Sequence, residues 1–162
     1  MTSYAALTGR ISQQKEDLET VVSRAESLME KARRTGDDGY LDGVALNLHS
    51  FYTGVESIFE DIARNLDGEI PKGSDWHKQL LLQMSAEIPE IRPKVIQRKS
   101  RHCLEEYRGF RHVVRNVYTF NLRASRIGEL ADELRACFES VFSDLDEFGR
   151  FLMSLNREEK SV

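Results

Sequence analysis

The 162-residue chain carries only three prolines, Pro71, Pro89 and Pro93, all in its middle third. Proline removes a backbone donor and clashes with the preceding turn, so it is the strongest interruption a helix can meet. The stretches on either side are free to run as long helices, and their apolar residues recur at three-to-four spacing, the period of one helix face.

Leu7, Ile11, Leu18, Val21, Val22, Ala25, Leu28, Met29 and Ala32 predict an amphipathic helix from about Ser3 to Arg34. Gly36-Asp37-Asp38-Gly39 reads as a turn. A second helix is expected from about Tyr40 to Leu66. Its apolar set, from Leu41 through Phe51, Tyr52 and Val55 to Ile62, is wide enough to place it at the centre with neighbours on several sides. Asp67 to Gly73 is a loop, and Ser74 is read as the N-cap of a short helix to about Ser85. Ile88 to Pro93 should be irregular, because residues before proline avoid the helical region. Two further helices are expected, from about Lys99 to Tyr118 and from a cap at Ser125 to about Leu155. There is no sustained two-residue alternation, no internal repeat and no low-complexity segment. The expected fold is all-α, a four- to five-helix up-and-down bundle, with one domain over residues 1–155 and a frayed polar tail over 156–162.

Composition narrows the function classes. The apolar fraction is 40 % and the charged fraction 31 %, the balance of long amphipathic helices rather than of disorder. A net charge of −4 argues against coating nucleic acid through bulk charge, but leaves room for a local basic patch. No run of 18 apolar residues occurs, so no membrane span is expected. Met1-Thr2-Ser3-Tyr4 has neither a basic nor an apolar leader segment, and a cytoplasmic location is expected. The two cysteines, Cys103 and Cys137, lack metal-ligand spacing and are read as buried free thiols. No metal or organic cofactor is expected, since there is no H-E-x-x-H, Gly-rich phosphate loop or Cys/His cluster.

The segment with chemical content is Arg108-Gly109-Phe110-Arg111-His112-Val113-Val114-Arg115-Asn116-Val117-Tyr118. Projected at about 100° per residue, Tyr107, Phe110, Val113, Val114 and Val117 form a core stripe. The other side gathers Arg108, Arg111, Arg115, His112 and Asn116, with Tyr118 close to Arg111. No carboxylate falls among them, although a solvated helix face ordinarily mixes signs. Arginine grips phosphate with a planar fork, and histidine moves protons near neutral pH. The partner could instead be carboxylates of another helix or a second subunit, and the plain alternative is a solvated or internally paired face.

These residues resemble the HEPN domains, and in particular the HepT-like ribonuclease toxins of prokaryotic HEPN/MNT toxin–antitoxin pairs. Gly109-Phe110-Arg111 is similar to the start of the family motif, His112 stands at its polar position, Val113 and Val114 at its apolar pair, and Tyr118 at its tyrosine. The helix Leu41 to Leu66, with Glu56 midway, resembles the family's second helix. The position five residues after Arg111, where the family carries histidine, holds Asn116, whose amide exchanges no proton at neutral pH. Two readings follow: His112 supplies the imidazole instead, or the domain binds a partner without cleaving. The resemblance implies a metal-independent endoribonuclease, active as a homodimer. Arg111, His112 and Asn116 would be catalytic, Arg108 and Arg115 would bind RNA phosphate, and a nucleotidyltransferase antitoxin would silence the site by adding AMP to Tyr118.

Other residues draw plainer readings. Trp76 is expected to be a packing anchor and His77 an exposed first-turn residue. His49 is expected in the core or an interface, His102 lies on the far side of its helix from Arg111, and Asn47 has no assigned partner.

Overall fold

The computed structural model describes the backbone of residues 3–116 and 123–160, and the side chains of 3–111 and 123–158. Five α-helices follow one another among these residues: α1 (Ala5–Thr35), α2 (Gly39–Ile62), α3 (Trp76–Met84), α4 (Arg98–Asn116) and α5 (Ala124–Lys160). No strand occurs among the described residues; the nearest approach is an isolated bridge between Ile88 and Arg92. The chain is an all-α bundle, as its periodicity predicts. No described helix is long and apolar enough to cross a membrane.

α1 ends where Gly36 turns left-handed (φ 72°) and its N–H caps Ala32 O at 2.9 Å, a conformation that costs glycine nothing. α2 then packs along α1. Gly54 permits the close approach, since a Cβ built there would lie 2.6 Å from Cδ2 of the buried Leu18. Val44, Leu48, Phe51, Tyr52, Val55, Ile58, Phe59 and Ile62 of α2 are all buried, and α1, α3, α4 and α5 surround it. That is the central position its wide apolar face requires. A π-helical turn, Ala63–Asp67, closes α2 and stops at Gly68 (φ 72°).

Arg92 locks the connection from α2 to α4. Its guanidinium forks onto Asp67 at 2.7 and 2.8 Å, and donates to the carbonyls of Gln83, Ala86 and Pro93. Both side chains of the Arg92–Asp67 pair are nearly sealed from solvent, with 0 % and 2 % exposure. The irregular segment before α4 is therefore a packed structure, and it fixes α3 against the end of α2. Val95 and Ile96 N–H groups satisfy Met84 O at the end of α3.

α4 is tied to α5 at successive turns of one face. Ser100 Oγ donates to Asp144 Oδ2 at 2.7 Å, and the buried Tyr107 hydroxyl donates to Leu130 O at 2.7 Å. Between them Cys103 and Cys137 form a disulfide. The expectation of two free thiols is overturned: helical spacing along each chain segment says nothing of which residue on the other helix faces it.

Three boundaries differ from expectation. Ser125, expected to cap the last helix, lies inside α5, which begins at Ala124. The residue before α3 is Asp75 rather than Ser74, and it makes no side-chain capping bond. α5 continues past Leu155 to Lys160, and Asn156 Oδ1 accepts from Tyr4 N at 3.0 Å, tying the end of α5 to the start of α1.

Candidate functional site

α4 presents Arg111 two turns beyond the buried Leu104, on the side of α4 that looks toward α2 and α3. Phe110 and Tyr107 lie in the core stripe as predicted, with Tyr107 edge-on to Phe51 of α2 at 5.3 Å. This packing holds the half-buried Arg111 at the edge of the core instead of in open solvent.

α3 supplies the partner. His77, at its second position, points its Nδ1 at Glu56 Oε2 of α2 across 2.6 Å. Its Nε2 lies 3.2 Å from Arg111 Nη1. Glu56, His77 and Arg111, from three helices, thus form one hydrogen-bonded chain. A guanidinium can only donate. Nε2 must then accept, and the imidazole is the neutral Nδ1–H tautomer donating to the carboxylate, as the network requires. The Trp76 ring stacks on the imidazole with centroids 3.6 Å apart. The His77 side chain is 19 % exposed and that of Glu56 5 %, so one edge of the ring remains open to solvent.

The electrostatics follow from the burial. Glu56 stands within the apolar face of α2, and burial raises its carboxyl above the usual range; the bond to His77 and the charge of Arg111 oppose this. Tyr52, one turn before it, is pushed well above the ordinary phenol range by burial and by the charge of Glu56. Arg111 Nε is buried without a hydrogen-bond partner.

The arginine face is partly paired. Arg108 bonds Glu105 one turn back, through Nε at 2.9 Å and Nη2 at 2.8 Å. Glu106 takes Arg126 of α5. Arg108 therefore stands beside Arg111 with its charge partly met by its own helix. The backbone of His112, Arg115 and Asn116 continues α4, placing them within the same two turns as Arg111. Tyr118 lies outside the described residues. His77, expected to be exposed, is instead the closest described imidazole to Arg111. Asn47, whose partner the sequence left unassigned, donates to Gly43 O of its own helix at 2.8 Å. His102, read as lying on the far side of α4 from Arg111, is exposed.

The legible signal for this site was Glu56. A carboxylate set between Tyr52, Val55 and Phe59 on an apolar face demands a partner, although nothing in the spacing says that His77 provides it. Among the described residues, no group of three or more His, Cys, Asp or Glu side chains is arranged to hold a metal ion. The guanidinium suits an anion instead: its Nε is buried and unpaired, and its Nη1 is spent on a neutral ring nitrogen, His77 Nε2.

No curated protein and no solved structure matches the chain. A family model described as HepT-like protein matches residues 43–152, a span that takes in Glu56, His77, Arg111 and most of α5. That span is more than half of the sequence, and the chain belongs to the HepT-like family.

Proposed function

We propose that this HepT-like chain is a metal-independent endoribonuclease, the toxin of a toxin–antitoxin pair. The observation that carries the reading is the contact of Arg111 with His77 Nε2, in which a phosphate-gripping group on the helix that bears the family motif is held against an imidazole from α3. In this reading two copies pair with their α4 helices facing, which doubles the arginine count in the cleft and gives an acidic chain its affinity for RNA. Arg111 clamps the scissile phosphate and stabilises charge developing on it. Arg108 and Arg115 hold neighbouring phosphates, and Asn116 orients the substrate through its amide. The ribose 2′-hydroxyl attacks the adjacent phosphorus, and His112 gives a proton to the departing oxygen. The partner is a nucleotidyltransferase antitoxin. It transfers AMP from ATP to the Tyr118 hydroxyl with release of pyrophosphate, and the added phosphate repels the substrate beside Arg111.

The test is incubation of purified protein with total RNA in EDTA, alongside Arg111→Ala and Tyr118→Phe. Cleavage by the wild type and by Tyr118→Phe, with none by Arg111→Ala, is the expected result. A second reading, a non-catalytic subunit that binds the nucleotidyltransferase, is favoured by Asn116 standing where the family carries histidine. It requires a stable complex and no cleavage by protein whose Tyr118 is known to be unmodified.

A further inference from the structure

We infer that His77, brought in from α3 rather than from the motif helix α4, is a catalytic base of this site, and that Glu56 is its positioning residue. The inference rests on the ribonuclease reading above and adds to it the group that takes the proton of the 2′-hydroxyl.

Three observations carry it. First, Nδ1 is committed to Glu56 Oε2 at 2.6 Å, which fixes the ring and its tautomer and leaves the lone pair of Nε2, the acceptor of the Arg111 bond, as the ring's one basic position. The arrangement is that of a base oriented by a carboxylate behind it. Second, that lone pair faces Arg111 Nη1 at 3.2 Å, so whatever anion the guanidinium grips arrives beside Nε2. A charge-assisted bond to phosphate is stronger than one to a neutral ring nitrogen. Phosphate therefore draws Arg111 away and uncovers Nε2. Third, the Trp76 stack and the burial of Glu56 shield the ring except at its open edge.

The alternative is that His77 only satisfies a buried carboxylate. Such a pair does little for stability that an apolar pair could not do as well, and it would not need its second nitrogen beside the arginine of the motif.

The step balances as follows. The 2′-oxygen forms its bond to phosphorus while the bond from phosphorus to the 5′-oxygen breaks. The 2′-hydroxyl proton passes to His77 Nε2, and the 5′-oxygen takes a proton from His112. Imidazolium at His77 is held by the Glu56 carboxylate and afterwards returns its proton to water. Glu56 of α2 and Arg111 of α4 bond the ring; Glu60 acts on Glu56 from the next turn, and Tyr52, with the Arg108–Glu105 pair, lies in the field of the same two charges.

The test is the pH profile of RNA cleavage in EDTA for wild type, His77→Asn and Glu56→Gln, each checked for helicity and a cooperative melt. His77→Asn should lose about a hundredfold or more in rate, together with the acid limb of the profile. Glu56→Gln should keep turnover but move the acid limb to lower pH, because imidazolium loses the anion that stabilises it. A folded His77→Asn that cleaves with the wild-type acid limb, or that slows without altering it, overturns the inference and leaves the ribonuclease reading standing. Should His77→Asn fail to fold, an unmoved acid limb in Glu56→Gln overturns it. No cleavage by the wild type overturns both.

Discussion

Arg111 Nη1 reaches Nε2 of His77 at 3.2 Å, although 34 positions separate the two residues in the chain. The contact depends on the planar fork of arginine. One nitrogen meets the ring while Nε stays buried and unpaired, ready for a second acceptor. Lysine keeps the charge but is a single point donor. Arg111→Lys is expected to retain the fold and lose about a hundredfold in RNA cleavage, the size of effect seen when one transition-state donor is removed. Initial rates in EDTA with thermal melts of both proteins check this.

Glu56 supplies a pH dependence of stability. Burial raises its carboxyl above the ordinary value of 4.5, so the folded state binds this proton more tightly than the unfolded state does. Its contribution is fully present below the unfolded value and is lost as pH rises through the raised one. Urea titrations at intervals from below pH 4.5 up to neutrality should therefore show wild type losing stability relative to Glu56→Gln as pH rises. Parallel curves for the two proteins would contradict the prediction.

The Cys103–Cys137 disulfide closes a loop with a sequence separation of 34 and ties α4 to α5. Cross-linking a loop of that size should stabilise by about 3–4 kcal/mol, mainly by restricting the unfolded chain. Reduction, or a Cys103→Ala/Cys137→Ala double variant, should lower the denaturation midpoint accordingly. Non-reducing mass spectrometry of a tryptic digest reports whether the bridge is present in the sample measured.

Arg92 and Asp67 form a sealed ion pair in which Arg92 also serves three carbonyls. Breaking such a pair from one side leaves an uncompensated buried charge, at a cost of about 3–5 kcal/mol. Asp67→Ala should fall in that range by chemical denaturation. Because the pair fixes α3 to α2, it should also disturb the bond between His77 and Glu56, seen as a shift in the His77 ring resonances.

Two glycines should respond oppositely to alanine. At Gly54 a Cβ would come within 2.6 Å of the buried Leu18, and overpacking of this kind costs about 1–3 kcal/mol. At Gly9, exposed on α1 with nothing within 4 Å, alanine should raise stability by up to about 1 kcal/mol through helix propensity. Melting temperatures of the two variants in one buffer test both.

The legible parts of this fold are those written in nearest-neighbour periodicity. The apolar faces of α1, α2 and α5 repeat at the helical period, and Pro89 and Pro93 mark the irregular segment before α4. The ends were less legible. Ser74 has the side chain of a cap, but Asp75 holds the capping position without a side-chain capping bond. α5 outruns its apolar pattern to Lys160, and Asn156, near that end, bonds Tyr4 on the adjacent helix. At the site, Arg111 was legible because it shares with Arg108 and Arg115 a helix face on which no carboxylate falls, next to Gly109-Phe110. His77 was not, because a histidine after tryptophan in a first turn gives no sign of what lies across from it.

By itself, the sequence determined that the chain is helical, where its helices break, which faces turn inward and that α4 carries a basic motif. Each of these depends on residues within a turn or two of one another. Only the tertiary structure decided that Glu56, His77 and Arg111 meet, that Cys103 pairs with Cys137 and that Arg92 closes over Asp67. Those pairings depend on how far one helix slides and rotates against the next. Packed side chains such as Leu18 against Gly54 fix that register, and no local period records it.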